Sequence, residues 1–318
     1  MESRNDTPEL VVLVGIPGSG KSTIRREYEK GDCVILSSDD IRESLAAEAK
    51  IDPCDRAAYL ALNDRVFTKM RTEAKEALRR GTSVVYDATN LNRKKRISLL
   101  REVGGIPCRK KCLLFITPRD VCIERDSRRE GVARVGKRVI NRMLRSFECP
   151  WYGEGWDSIE PVICRERYAF PFEETYGLSQ DNPHHTRTLY GHLSAALEYS
   201  AEHGYPEHLR EAALYHDVGK LYTKEFKNYK GEPTDTAHYY GHENYSAYLY
   251  LTEKCCGKET DENDFGKILY NTLLINLHMR PLNAWSASSA AEEKDVKIFG
   301  EKLIADVRLL HEADRAAH

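Results

Sequence analysis

The stretch "VVLVGIPGSGKST", residues 11–23, constrains this chain more than any other. A β-branched apolar run passes directly into a glycine-rich turn and then into a helix-forming segment. Gly15, Gly20, Lys21 and Ser22 fit the spacing G-x-x-x-x-G-K-[ST], with the strand before it and the helix after it that the mechanism needs. Glycines let successive backbone N–H groups curl around an anion, and the helix N-terminus adds the positive end of its dipole. Gly15, Gly18, Ser19, Gly20, Lys21, Ser22 and Thr23 are therefore the expected nucleotide-binding residues. Lys21 would reach the β- and γ-phosphates of ATP or another nucleoside triphosphate, and the Ser22 hydroxyl would hold Mg²⁺. The bland alternative, a glycine-rich strand-to-helix turn with no ligand, is disfavoured by this flanking context.

A phosphate loop of this kind lives in a parallel sheet, and the first half has the matching texture. "CVILSS" (33–38), "TSVVYD" (82–87) and "CLLFIT" (112–117) are further short apolar runs, separated by polar-periodic helical segments such as 55–80. Continuous apolar strands alternating with helices predict an α/β domain, its parallel sheet covered on both faces. From residue 184 the pattern is helical, over roughly 184–203, 206–221, 240–256, 262–278 and 294–316, which predicts an all-α second domain. At 318 residues the chain is long for one core. The expected division is 1–166 for the α/β domain, with an arginine-rich lid at about 119–145, 167–182 for a linker and 183–318 for the helical domain. A net charge near −2 excludes a globally basic nucleic-acid binder, leaving local patches for any such contact. The nine scattered cysteines include no C-x-x-C pair, which suits a reducing, cytoplasmic setting. No run approaches the length of a membrane span, and no secretory leader is visible.

Several polar residues fall where ligands bind in open α/β folds, at the ends of the strands. In "SSDDIRESL", Asp40 with Glu43 reads as a capping box, which frees Asp39 to accept a proton from an attacking hydroxyl, with Arg42 holding an anionic group of the acceptor. The alternative is that both acids merely cap. In "VVYDATNLNRKKR", Asp87 ends the third strand as a candidate for the Mg²⁺ or acceptor environment, and Thr89 and Asn90 either cap or contact substrate; Lys94 to Arg96 read as a solvated face. Arg125 and Arg129 lie four apart on one helix face, placed to fork onto a transferring phosphate as a lid.

The set "GIPGSGKST", "SSDDIR", "YDATNLN" and "RDSRR", spanning about 10–145, resembles the bacteriophage-type 5′-polynucleotide kinases of end healing. The resemblance implies that Asp39 is the general base for a 5′-hydroxyl, that Arg42 engages the phosphate beside the acceptor nucleotide, and that Arg125 and Arg129 contact the transferred phosphoryl group. Related P-loop kinases of metabolites share these motifs.

The helical half places histidines in "HHTRTLYGHLSAAL", "LYHDVGK", "YYGHENYS" and "LINLHMRP", with "LLHEADRAAH" at the end. Neutral histidine is the commonest metal ligand, and helix bundles assemble metal sites from facing helices. No cysteine takes part, so a structural zinc finger is not indicated. Residues 183–318 resemble the HD phosphohydrolase superfamily. The resemblance implies that His192, His216, Asp217 and Asp314 ligate one metal, that His242 and His278 add the ligands found in dinuclear members, and that His185, Lys220 and Arg280 face a substrate phosphate; Asp217 carries the catalytic role. Mn²⁺, Co²⁺, Ni²⁺, Fe²⁺ and Zn²⁺ all suit such ligands. Together the two resemblances imply a bifunctional enzyme for polynucleotide ends, with RNA favoured over DNA as substrate and a separate RNA ligase as an expected partner. One alternative is a kinase of a nucleoside or small metabolite joined to an HD nucleotide phosphohydrolase. Another, a nucleotide-gated binding module, needs a missing metal ligand, and every ligand position is filled.

Overall fold

The computed structural model describes residues 7–183 and 186–318. The chain forms two compact units, residues 1–140 with 150–162, and residues 141–149 with 163–318.

The first unit is built on a five-stranded sheet of order β2-β3-β1-β4-β5. Its strands are β1 (Glu9–Val14), β2 (Cys33–Ser37), β3 (Ser83–Asp87), β4 (Arg109–Ile116) and β5 (Ser158–Ile163). β1 runs parallel to both β3 and β4, and β2 runs parallel to β3. Leu10 to Val14 are all but fully buried, as expected of a central strand covered on both faces. The flanking helices are α1 (Lys21–Tyr28), α2 (Ser38–Glu48), α3 (Arg56–Ala61), α4 (Asn63–Arg79), α5 (Arg93–Glu102), α6 (Arg119–Ser127) and α7 (Lys137–Leu144), whose last turn belongs to the second unit. The helix expected over 55–80 is thus two, joined at Leu62.

The topology places β1, whose loop would bind the anion, between β3 and β4, where the strand order reverses. Open α/β sheets bind ligands at that switch point. Register adds to this: Leu13 lies beside Asp87, and Asp87 beside Ser37, so β1, β3 and β2 end level with one another.

The second unit contains α8 (Leu189–Glu202), α9 (Glu207–Tyr215), α10 (Lys220–Thr223), α11 (His242–Cys255), α12 (Glu262–Leu277), α13 (Ser289–Phe299) and α14 (Glu301–Ala316). Contrary to the all-α expectation, a small antiparallel hairpin joins α10 to α11, with strands β6 (Glu225–Lys227) and β7 (Pro233–His238). The helix expected over 206–221 breaks at residues 216–219, and that over 294–316 breaks at Gly300, whose φ of 84° favours glycine. Residues 167–182, expected as a linker, pack within this unit: Phe170, Thr175 and Gln180 are buried. Aromatic contacts explain this, since the Phe172 ring meets both Phe170 and Tyr215 edge to face.

Candidate active sites

In the first unit the loop after β1 wraps toward α6. Gly18 has a φ of 83°, and a Cβ there would stand 2.5 Å from the carbonyl oxygen of Cys122, so both conformation and space demand glycine. Thr117 Oγ1 donates to the Ser19 carbonyl, while the Ser19 hydroxyl itself is buried with no partner. Lys21 Nζ donates to the carbonyls of Gly15 and Ile16, each at 2.9 Å. Burial pulls the Lys21 ammonium down to about 8, with the Asp87 carboxylate opposing the shift. A half-buried cation resting on loop carbonyls and an orphaned hydroxyl suit a phosphate ligand and its Mg²⁺.

The acids and arginines at the strand ends gather around this loop. Asp87 is 9% exposed; burial raises its pKa, against the pull of Lys21 and Arg25. Arg25, which the sequence reading passed over, reaches Asp87 at 3.4 Å and Asp40 at 3.2 Å. It lies four residues after Lys21 on α1, so its spacing was a usable signal. The capping role read for Asp40 belongs instead to Ser37, whose hydroxyl accepts from the Asp40 N–H. α2 starts directly from the end of β2 with no connecting loop, which moves both acids into its first turn. Asp39 is exposed there and pairs with Arg42 at 2.8 Å; Arg42 is buried and donates also to Asn63 Oδ1.

Thr89 holds the loop through its carbonyl, which accepts from the Gly15 N–H at 3.0 Å. Asn90 has a φ of 47°, and its side-chain amide donates to the Leu13 carbonyl, so it pins the β3 loop to β1. Asn92, not Thr89 or Asn90, caps α5. Lys94 and Lys95 are exposed as expected, but Arg96 is buried and corrects the solvated-face reading. Its guanidinium pairs with Glu154 at 2.6 and 2.8 Å and donates to the carbonyls of Asn90 and Leu91. Those turn carbonyls need a donor, and only a long planar side chain reaches them and a carboxylate together.

Of the lid arginines, Arg125 reaches the loop, whereas α6 ends at Ser127, so Arg129 lies beyond the helix and does not share a helix face with Arg125. Arg125 Nη1 lies 3.4 Å from the Gly18 carbonyl, and the charge of Arg129 acts on Lys21. The lid is shaped by Asp126, buried on α6, whose carboxylate accepts from the backbone N–H groups of Val135 and Gly136.

The second unit brings together His192 from α8, His216 and Asp217 from the break after α9, His242 from the start of α11, His278 from the end of α12 and Asp314 from α14, all of them buried. They form two ligand groups. His192, His216, Asp217 and Asp314 make one, and Asp217, His242 and His278 make the other. Asp217 belongs to both.

Backbone carbonyls orient the rings. Nδ1 of His216 lies 2.7 Å from the Ala213 carbonyl, that of His242 2.7 Å from Tyr239, that of His278 2.8 Å from Ile275 and that of His192 3.4 Å from Ala317. A carbonyl only accepts, so each Nδ1 carries its proton and each Nε2 turns its lone pair to the centre. The Nε2 atoms of His192 and His216 then face each other at 3.1 Å, which requires a cation or a proton between them. Burial disfavours charge on His192, yet the carboxylates of Asp217 and Asp314 outweigh it and raise its pKa to about 9. Asp217 is held well below the usual carboxylate range: burial opposes this, but Lys220, His216 and His242 prevail. On the other side of Asp217, its Oδ1 and the Nε2 atoms of His242 and His278 are buried with no hydrogen-bond partner. Three orphaned acceptors converging on one point fit a divalent cation.

Of the residues expected to face substrate, Lys220 is present, its Nζ 2.6 Å from Asp217 Oδ2. Arg280 is instead tied to Asp295 at 2.8 and 2.7 Å. His185 lies outside the described residues.

Residues 10–150 match the family described as an AAA domain. A protein of Arabidopsis thaliana named transcription factor bHLH140 is 31% identical over 157 residues, covering 47% of this chain and 15% of its own length. The L-seryl-tRNA(Sec) kinase of Methanococcus maripaludis is 27% identical over 154 residues, covering 46% of this chain and 56% of its own. The chain therefore spans less than two thirds of the length of either relative. Among solved structures, a chain of the Pnkp1/Rnl/Hen1 RNA repair complex superposes with a TM-score of 0.37 at 22% identity, covering 46% of this chain and 45% of that one.

Proposed function

We propose that this protein, whose first unit is a P-loop domain of the kinase type, is a bifunctional enzyme that heals RNA ends. The first unit phosphorylates a 5′-hydroxyl from ATP. The second, an HD-type phosphohydrolase, removes a 2′,3′-cyclic phosphate, a 2′-phosphate or a 3′-phosphate. The observation that carries this reading is Asp217, shared by two buried ligand groups in a chain that also holds a complete phosphate loop. A phosphate donor site and a phosphate-removing site on one polypeptide suit broken RNA, which must gain phosphate at one end and lose it at the other before ligation. The seryl-tRNA kinase named above supports a hydroxyl acceptor carried on RNA.

In the kinase step Lys21 and the loop N–H groups would bind the β- and γ-phosphates, and Ser22 with Asp87 would hold Mg²⁺. Asp39, exposed at the mouth, accepts the proton of the 5′-hydroxyl as its oxygen bonds to the γ-phosphorus and the bond to the β-phosphate oxygen breaks. Arg125 and Arg129 balance charge on the transferring group, and Arg42 aligns the acceptor. In the second unit His192, His216, Asp217 and Asp314 would hold one divalent ion, and Asp217, His242 and His278 the other. Such ions supply Lewis acidity toward a phosphate ester and toward water. The protein's part is to keep four rings and two carboxyls oriented in a buried site and to present the Lys220 ammonium beside it.

One RNA carrying a 5′-hydroxyl and a 2′,3′-cyclic phosphate, incubated with protein, ATP, Mg²⁺ and Mn²⁺, tests both claims by the mass of each end. Lys21→Ala should abolish gain of the 5′-phosphate alone, and Asp217→Ala loss of the cyclic phosphate alone. A second reading, a metabolite kinase fused to a nucleotide phosphohydrolase, draws on the net charge near −2. Salt separates the two, since polynucleotide affinity falls steeply with ionic strength as phosphate contacts are lost.

A further inference from the structure

The ammonium of Lys220 raises a question of charge, because it occupies the carboxylate that both metal groups need. Lys220 is only 4% exposed and sits 2.6 Å from Asp217 Oδ2, the oxygen that also faces His192 Nε2 at 3.2 Å. Its second acceptor is Gln180 Oε1 at 2.9 Å, and the Tyr239 ring lies below it with the centroid 5.4 Å away.

Gln180 is held in place from several directions. It is 2% exposed, although it comes from the irregular segment that precedes α8. Its Nε2 donates to the Arg187 carbonyl, which can only accept, so Oε1 is committed to Lys220. Its own carbonyl accepts from the Tyr239 hydroxyl. The neighbouring Asp181 and Asn182 clamp the segment to β7, through Ala237 N–H to the Asp181 carbonyl and Asn182 Nδ2 to the Ala237 carbonyl. A buried glutamine so constrained, and aimed at a lysine, is built to hold that lysine.

Resting on the metal-centre reading above, we propose that Lys220 and Gln180 form a charge relay. The ammonium lies on Asp217, the carboxylate that a divalent cation would share. A divalent ion held by Asp217 would be a like charge beside that ammonium, which would then rest on its other acceptor, Gln180. Gln180 offers a neutral acceptor, so the ammonium stays at the edge of the centre, available to the substrate phosphate. Gln180 is thus a positioning residue: it acts through Lys220.

The test is Mn²⁺ binding to the full chain without nucleotide, read as loss of the free-ion electron paramagnetic signal. The set comprises wild type, Lys220→Met, Gln180→Met and the double variant. Removing the competing ammonium should tighten Mn²⁺ binding about tenfold or more, a change of ~1.4 kcal/mol, while lowering the melting temperature of the metal-free protein. Gln180→Met should weaken Mn²⁺ binding several-fold in the presence of Lys220 and not in its absence, a coupling that the double-variant cycle isolates. A lysine that merely props the fold would do the opposite, so weaker binding by Lys220→Met overturns the relay. Lys220→Gln gives the same reading if the methionine variant does not fold. Unchanged binding by Gln180→Met overturns the role of Gln180. If wild type binds no Mn²⁺ outside the phosphate loop, the metal centre and the relay fall together.

Discussion

At the scale of single residues the two sites differ in what they ask of a proton. Lys21 has its pKa lowered to about 8 by burial, and a bound triphosphate would raise it again. At pH 8 about half of the Lys21 side chains are neutral, so nucleotide binding should take up roughly half a proton there and much less at pH 6.5. Calorimetric titration in two buffers of different ionisation enthalpy reads this directly. The metal centre runs in the opposite sense. His192 has its pKa raised to about 9, so below that value it holds a proton where a cation would sit. Divalent binding should then release about one proton, and affinity should climb toward tenfold per pH unit from pH 6.5 to 9 before levelling. A pH-independent affinity would remove His192 from the ligand set. The residues that local reading missed or misjudged, Arg25, Arg96 and Asp126, share a cause. Each is a charge whose partner lies on another element, and an exposed arginine cannot be told from a buried one until that partner is placed.

At the scale of elements, caps and breaks decide where the ligands point. Ser37 starts α2 at the end of β2 and so sets Asp39 on the first turn and Arg42 on the next. His216 and Asp217 owe their position to the interruption after α9, and Gly219 makes that interruption possible. A Cβ on Gly219 would lie 2.4 Å from the His242 carbonyl oxygen and 2.7 Å from the Ser246 nitrogen, and its N–H donates to Ser246 Oγ. Gly219→Ala must therefore push α10 from the start of α11 and separate Asp217 from His242. Overpacking of this kind costs ~1–3 kcal/mol, and the expected result is a lower melting temperature with Mn²⁺ affinity reduced by more than tenfold. Retained affinity would show that the two ligand groups tolerate displacement. The expectation of one helix over 206–221 failed here because periodicity reports which side chains share a face, not whether the backbone stays continuous.

At the scale of the whole molecule, each unit carries a core of its own and a ligand site of its own. Ligands bound only by the native state stabilise the part that binds them, by ~2.7 kcal/mol when present at a hundred times Kd. Scanning calorimetry should show ATP with Mg²⁺ raising the unfolding of the first unit and Mn²⁺ alone raising that of the second. Asp217→Ala should erase the second shift and spare the first. A single transition moved equally by both ligands would mean that the units unfold as one.

The sequence by itself determined the strand–loop–helix of residues 10–28, the parallel sheet that such a loop requires, and the residue types of both sites. Those rest on local rules: backbone freedom at glycine, apolar periodicity and the donor chemistry of histidine and aspartate. Only the tertiary structure decided that β3 lies beside β1, so that the charge of Asp87 acts on Lys21, and that Asp217 serves two ligand groups drawn from five helical segments. It also decided that Gln180 leaves an apparent linker to meet Lys220. Contacts across dozens of residues depend on how buried faces pack, and no spacing along the chain encodes them.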